Sequence, residues 1–221
     1  MALLLYRLRL NLADRAVRRD LANAYDMHRT LSRAFVDSDQ GPVHPFLWRL
    51  EPSSNDEPPV LLLQAASSAH WAQLPSGYLL SCQERCWDPA AVLYSGRRVM
   101  FRLRANPTVH RVPQAELTAK PPGQSARGRR KRLGLWRETE QLQWLHRQAQ
   151  RVGLACVEAT VSQSERLRCR KRDGTITLAS AQFDGRAVIA DPAALVAGIS
   201  AGLGHGRMLG HGLLSLAPLR A

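Results

Sequence analysis

The sequence is short of acidic residues. It contains 18 Asp and Glu against 31 Lys and Arg, which gives a formal charge of +13 at pH 7. A positive surplus of this size attracts polyanions and speeds their capture. It favours nucleic acid, an anionic membrane surface or an acidic protein as the partner. The alternative is a charge that only keeps the protein in solution, and the clustering of the cations described below argues against it.

Long apolar runs are also absent. The run near the start, Ala2 to Tyr6, is shorter than the ~7–15 residues of a signal-peptide core. No stretch approaches the roughly 18 apolar residues that span a bilayer. We therefore expect a soluble, cytoplasmic protein that does not enter a membrane. Hydrophobic residues make up 45% of the chain, which is enough for a proper core in one large or two small domains.

Only four cysteines are present, which limits metal chemistry. Cys82 and Cys86 are spaced C-x3-C, but neither a histidine nor a second close pair accompanies them. Zinc sites usually show two close pairs, so we expect reduced thiols rather than zinc. No carboxylate cluster that would hold catalytic magnesium is evident either. The sequence predicts neither a metal nor another cofactor.

The first half of the chain has the pattern of an α+β domain. Residues 3–12 alternate apolar and polar side chains, which predicts a strand with one wet face. Val17 to Phe35 follow at helical spacing, as one helix or as two with a break near Asn23. Further strands over 46–50, 60–64 and 78–82, and a short helix over 71–74, complete a β-α-β-β-α-β order.

The second half has roughly the same order. A strand from Val99 to Ala105 precedes a long polar stretch, which we interpret as a mobile loop, and an amphipathic helix that ends at Gly153. Three strands are expected between Leu154 and Ile189, two of them joined at the hairpin signal Asp173-Gly174. Asp191-Pro192 has the pattern of a helix start, and the last strand is predicted over 213–216.

These two patterns predict the architecture. The simplest fold that contains both is an α+β protein of two tandem ferredoxin-like (βαββαβ) domains. We expect an N-terminal domain over residues 1–95 and a C-terminal domain over residues 96–221. No sequence repeat supports the duplication, so it depends on element order alone.

The cations of the second half are clustered. One cluster lies in the long polar stretch, where such a segment often becomes ordered on RNA; the alternative is a solvated linker. A second cluster occupies alternate positions of one hairpin strand, about 7 Å apart on one face. Guanidinium groups in such a row suit the phosphates of a nucleic acid, although a solvated sheet edge is the alternative. The predicted RNA-binding cations are Arg129, Arg130 and Lys131 of the polar stretch, Arg166, Arg168, Arg170 and Arg172 of the hairpin, and Arg102 and Arg104 of a shorter row.

A glycine-rich segment, GLGHGRMLGHG, covers residues 202–212. Its glycines permit a positive φ and close approach of another backbone, and its amides can bind an anion; a flexible turn is the alternative. A dinucleotide-binding loop is excluded because a helix precedes the segment, and too few residues follow it. His205 and His211 lack a third ligand and are expected at the surface. The glycines concerned are Gly202, Gly204, Gly206, Gly210 and Gly212.

Tyr25 and His28 are the candidate catalytic pair. On a helix they lie roughly 60° apart around the axis and can point into one site. Periodicity alone favours two packed side chains. If the ligand is RNA, the histidine can move a proton at the 2′-hydroxyl or at the leaving 5′-oxygen, and the tyrosine can stabilise the phosphate.

Taken together, these segments resemble a known family. The starting strand, the Y-x-x-H segment, FRLRANP, the EQLQWL helix and the terminal GLGHGRMLGHGLLSLAP occur in the order typical of the CasE family. These proteins are the CRISPR-RNA-processing endoribonucleases of type I-E systems, within the RAMP superfamily. The resemblance covers essentially the whole chain, and the combination of segments is highly specific.

The resemblance implies both a reaction and its partners. It implies metal-independent cleavage at the 3′ base of a CRISPR repeat stem-loop, with a 5′-hydroxyl on one product and a 2′,3′-cyclic phosphate or 3′-phosphate on the other. It also implies retention of the guide RNA and assembly with type I-E Cascade subunits, with a monomer outside that complex. His28 matches the family's catalytic histidine, Tyr25 its partner tyrosine, and Arg207 a basic position of the glycine-rich loop.

Two other interpretations of the residues stay open. One is an RNA-binding module without catalysis, in which Tyr25 and His28 only pack. The other is a nucleotide-dependent enzyme that uses the glycine-rich segment. The role of His28 as general acid or general base is also open at this point.

Overall fold

The first half of the chain folds around one antiparallel sheet. The computed structural model describes residues 2–36, 41–52, 57–111 and 131–219. The sheet has the order β2-β3-β1-β4, which is the order of a ferredoxin-like domain. Its strands are β1 (Leu3–Leu10), β2 (Phe46–Leu50), β3 (Val60–Ala65) and β4 (Leu79–Trp87).

Two short helices cover one face of this sheet. They are α1 (Arg15–Ala22) and α2 (Ala24–Ser32), so the predicted break at Asn23 is confirmed. The Asp14 carboxylate caps α1 by accepting hydrogen bonds from two backbone amides. Alternate residues of β1, among them Leu8 and Leu10, pack against the apolar side of the helices. Single 3-10 turns lie at Arg33–Phe35 and Trp71–Gln73.

The second half repeats the arrangement around another antiparallel sheet, of order β10-β5-β9-β8. The prediction of two tandem ferredoxin-like folds is therefore confirmed. The strands are β5 (Arg98–Ala105), β8 (Leu154–Lys171), β9 (Gly174–Ile189) and β10 (Leu214–Pro218). The helices from here on are α3 (Pro89–Val92) between the two sheets, α4 (Glu138–Arg151) and α5 (Pro192–Ala201). None of the helices within the described ranges has both the length and the apolar character needed to cross a bilayer.

Two predictions about this half were wrong in detail. The three strands expected between Leu154 and Ile189 are two long strands, because β8 stays paired with β9 through an irregularity between Val161 and Gln163. A small hairpin, β6 (Thr108–Arg111) with β7 (Lys131–Gly134), borders the long polar stretch and was not predicted. The stretch itself, with Arg129 and Arg130, lies outside the described residues.

A buried arginine joins the two halves. Arg49 of β2 is 1% exposed, and its guanidinium contacts Glu51 of its own half. It also donates to the backbone carbonyls of Arg102 and Leu213 and to the Ser215 hydroxyl in the second half. These bonds fix the register between the two sheets, and with it the cleft in which α2 lies.

Candidate active site and RNA interface

His28 lies on α2 at the wall of a cleft between the two halves. Its ring stacks on Phe46, with 5.0 Å between the ring centres. The Nδ1 atom is buried and has no hydrogen-bond partner among the described residues. Burial lowers the pKa of His28 to about 4. The imidazole is therefore neutral at physiological pH, the form in which it can accept a proton.

The beginning of α2 is bound directly to the basic hairpin of β8 and β9. The Asn23 side chain donates to the Arg170 carbonyl at 2.9 Å and accepts from the Arg170 amide at 3.2 Å. Both bonds use the outer edge of β8, which is the edge strand of its sheet. The Cys169 thiol lies against the amides of Ala24 and Tyr25. Tyr25 therefore lies within one helical turn of His28, and its backbone amide is next to the hairpin strand β8.

Asn23 was not among the predicted site residues. One signal of its role was present in the sequence, the predicted helix break at Asn23. That break leaves Asn23 extended (φ −148°, ψ 103°), so that its amide can reach a neighbouring strand edge. What could not be read from the sequence is which strand edge lies there, because Arg170 is far away along the chain.

The arginines of the hairpin form the predicted row. Arg166, Arg168 and Arg170 are all exposed on one face of β8, whereas Arg172 is in the hairpin turn. Cys169 is buried on the opposite face, and Lys171 shares that face by alternation. The Arg166 guanidinium lies over the ring of Trp136, at 4.8 Å from the ring centre. The hairpin therefore carries positive charge on one face and at its tip.

The glycine-rich segment packs against α2 through the 3-10 turn Arg207–Leu209. Gly202, Gly204, Gly206, Gly210 and Gly212 all have positive φ. At Gly210 an added Cβ would lie 2.9 Å from the Trp48 ring, so the close approach there requires glycine. The amides of Gly202, Gly210 and Gly212 donate to backbone carbonyls of the protein, so these three are not available to an anion.

Arg207 and His205 of the glycine-rich segment are exposed, whereas His211 is buried. Arg207 is exposed and lies at the cleft that also contains His28. His211, which was expected at the surface, is fully buried, and burial with the nearby Arg104 charge lowers its pKa to about 3. It is a neutral packing residue of the loop. His205 is exposed, and its backbone bridges to Asn106.

Arg102 and Arg104 are held by carboxylates of the protein itself. Arg102 contacts Glu51 at 2.9 Å and Asp184 at 2.6 Å. Arg104 is paired with Glu165 and donates to the Ser180 hydroxyl. Their role in RNA binding stays a prediction, and their guanidinium groups already have partners. The backbone of Lys131 lies in β7, opposite Arg111.

The fold and the site define a class of protein. Two ferredoxin-like units enclose a cleft that contains a neutral histidine and lies next to a basic hairpin. This arrangement is that of a protein that binds an anionic polymer. Within the described ranges, no group of three or more His, Cys, Asp or Glu side chains is placed to hold a metal ion.

The comparisons with known proteins identify the family. The family model described as "CRISPR associated protein" matches residues 3–218. The CRISPR-associated endoribonuclease Cse3 of Thermus thermophilus is 37% identical, with 97% of this chain and 99% of that protein covered. The CRISPR system Cascade subunit CasE of Escherichia coli K12 is 32% identical over 93% of this chain and 96% of that protein.

A solved structure agrees with these relatives. Thermus thermophilus Cse3 bound to an RNA representing a pre-cleavage complex superposes with a TM-score of 0.83, at 35% identity, covering 99% of this chain and 100% of that one. The chain therefore belongs to the CRISPR-associated protein family, in its Cse3/CasE branch of endoribonucleases.

Proposed function

We propose that this endoribonuclease cleaves CRISPR precursor RNA at the 3′ base of the repeat stem-loop, without a metal ion. The observation that carries the proposal is the attachment of α2 to the basic hairpin through Asn23. Through this contact the helix that carries Tyr25 and His28 adjoins the exposed arginines of β8, and Arg207 of the glycine-rich segment lines the cleft that contains His28.

The chemistry follows from the position and protonation of His28. The ribose 2′-oxygen attacks the adjacent phosphorus and loses its proton. The bond from phosphorus to the 5′-oxygen breaks, and that oxygen takes up a proton. The products carry a 2′,3′-cyclic phosphate, or a 3′-phosphate after hydrolysis, and a 5′-hydroxyl. In the RNA-free protein His28 is neutral, which is the form of a general base. The phosphate charge of bound RNA raises its pKa, so that the same ring also suits a general acid.

Tyr25 and Arg207 complete the proposed site. The Tyr25 hydroxyl orients the scissile phosphate, and the Arg207 guanidinium stabilises the charge that develops on it. The hairpin row Arg166, Arg168 and Arg170 holds the stem through its backbone, so the shape of the RNA supplies much of the selection. The roles of the predicted cations Arg172, Arg129, Arg130 and Lys131 are proposed on charge alone.

The partners follow from the relatives' names. One relative is a Cascade subunit and another has been solved with RNA. We propose that this protein keeps the mature guide RNA, joins the type I-E Cascade assembly in the cytoplasm and is a monomer outside it. The two sheets also support a domain boundary between residues 95 and 96, which stays a proposal.

The test is cleavage of a repeat stem-loop RNA in excess EDTA. Wild type and His28→Ala are compared, each with a normal substrate and with one that has a 2′-deoxy sugar before the scissile phosphate. We expect cutting by the wild type alone, and only of the normal RNA. Equal cutting by both proteins would show that His28 is a packing residue and takes no part in the reaction. Tight binding without cutting by either protein would make this an RNA clamp.

A second test concerns the hairpin. Arg168→Glu with Arg170→Glu should weaken binding of the uncleavable RNA without unfolding the protein, because both side chains are exposed. The slope of log affinity against log salt should become shallower by about 2, as two phosphate contacts are lost. Unchanged affinity in the double variant would remove the hairpin from the binding surface.

A further inference from the structure

The cleft that contains His28 and Arg207 forms a pocket larger than the proposed chemistry needs. Its volume is about 600 Å³, within the range of ligand sites and more than a proton transfer at a phosphate requires. The first half contributes His28, Phe46 and Ser67, and the second half contributes Ala201, Arg207 and Met208. The pocket therefore exists only because the two halves are joined.

The lining fits a nucleobase. Met208 is 55% exposed, and Val43 on the other side of the pocket is also exposed, so apolar surface is available to the flat faces of a ring. The Ser67 hydroxyl oxygen is buried without a partner among the described residues, as is His28 Nδ1. A small turn of either side chain would let the polar edge of a base supply the missing partner. None of the described lining residues is acidic, and Arg207 adds positive charge, which suits a nucleotide and not a cation.

The direction of the RNA follows from the order of the parts along α2. Asn23, before its first residue, contacts the hairpin, and His28 is five residues further on, about 7.5 Å along the axis. The pocket begins at His28. A strand whose stem is held by the hairpin must therefore pass His28 before it reaches the pocket. If the cut is on the 3′ side of the stem, the first nucleotide beyond His28 is the one that leaves.

We propose that this pocket is a subsite for the unpaired nucleobase directly 3′ of the scissile phosphate. The inference rests on the proposed function. Seating this base holds the leaving 5′-oxygen in line with the attacking 2′-oxygen, so that the pocket contributes to the rate of cleavage. The stem supplies the binding through its phosphates, so the pocket contributes little to overall affinity.

The test uses three forms of the repeat stem-loop RNA with the full chain. One is unmodified, one lacks the base directly 3′ of the cut, and one lacks the base two nucleotides further downstream. Single-turnover cleavage is measured in EDTA. We expect the first abasic RNA to be cut at least about tenfold more slowly, the loss expected for one stacked base, and the second at the normal rate. Affinity is measured on 2′-deoxy versions and should not change.

Protein variants give a matched control. Ala201→Phe fills the pocket from an exposed position at the end of α5, and Ala217→Phe makes the same change at an exposed position of β10 that lines a different groove. Ala201→Phe should slow cleavage of normal RNA about as much as loss of the base directly 3′ of the cut does. The variant should cut the normal RNA and this abasic RNA at the same rate. Ala217→Phe should behave as the wild type.

The outcomes separate the two proposals. Equal cutting of normal and abasic RNA by the wild type, or a normal rate with Ala201→Phe, would overturn the subsite and leave the endoribonuclease reaction intact. Equal slowing by both abasic positions would also overturn it, because the effect would then belong to the strand and not to one base. No cutting of any RNA would overturn the proposed function, and the subsite with it.

Discussion

Replacing Arg49 by methionine should cost about 3 kcal/mol of the free energy of unfolding. The guanidinium of Arg49 is buried and donates to two carbonyls and one hydroxyl of the second half. Methionine has a similar volume but no donor, so each acceptor loses one bond worth about 1 kcal/mol. Glu51 keeps its contact with Arg102 at 2.9 Å, so the cost stays near the lower end of the ~3–5 kcal/mol for breaking a buried pair.

The assay is urea unfolding together with thermal unfolding. For a chain of this size, about 3 kcal/mol corresponds to a fall of roughly 6–12 °C in Tm. The matched control is Arg186→Met. Arg186 contacts Glu158 at 2.6 Å, but its side chain is 60% exposed, so its loss should change the stability far less than the loss of Arg49. The Arg49→Lys variant keeps the charge but not the fork, and should recover only part of the loss.

The same variant tests whether Arg49 fixes the cleft. Three of the bonds that it would lose cross from the first half to the second, and the fourth, to Glu51, lies within the first half, which keeps its sheet. Cleavage by the folded Arg49→Met protein should therefore fall further than RNA affinity does, because the hairpin still binds the stem while α2 and the glycine-rich segment are less well aligned. A free energy of unfolding within 0.5 kcal/mol of wild type, of the order of an ordinary surface substitution, would refute the reasoning.

Two further predictions concern the buried histidines and the contact of Asn23 with the hairpin. His28 and His211 are neutral in the folded protein, with pKa values of about 4 and about 3, whereas the unfolded chain binds their protons below about pH 6.5. The stability that they contribute is therefore complete above pH 6.5 and is lost as the pH falls towards 4, by up to about 1.4 kcal/mol per pH unit for each histidine. Urea unfolding of His211→Gln should show a shallower pH dependence than wild type, and parallel curves would contradict this. Asn23→Ala removes both bonds to Arg170 and should slow single-turnover cleavage more than it weakens RNA binding. Asn11→Ala, which removes an exposed amide–carbonyl bond elsewhere, is its control, and equal losses of rate and affinity in Asn23→Ala would contradict the positioning role.

Local patterns predicted most of the fold. The alternation of β1, the break at Asn23 and the turn after Arg172 all depend on a few neighbouring residues, and each was found where expected. The element order of both halves followed from such patterns. It was enough for the architecture because the ferredoxin-like sheet order of each half follows from that sequence of elements.

Patterns failed where the backbone, and not the side chains, carries the structure. Ser162 to Glu165 are all exposed and have no apolar alternation, so they read as a loop. They are nevertheless part of β8, because their backbone pairs with β9 across the irregularity near Val161. The pairing of β6 with β7 joins segments twenty residues apart and likewise has no local signal.

The candidate site shows the same limit in its charges. Alternate arginines in a strand share a face, and this rule placed Arg166, Arg168 and Arg170 correctly on one exposed surface. The same rule applied to Arg102 and Arg104 gave an equally regular row, but their carboxylate partners come from segments that are distant in sequence. Spacing along one strand predicts which side chains lie together. Whether their charge is free for RNA depends on the neighbouring strands, and only the assembled sheets supply that information.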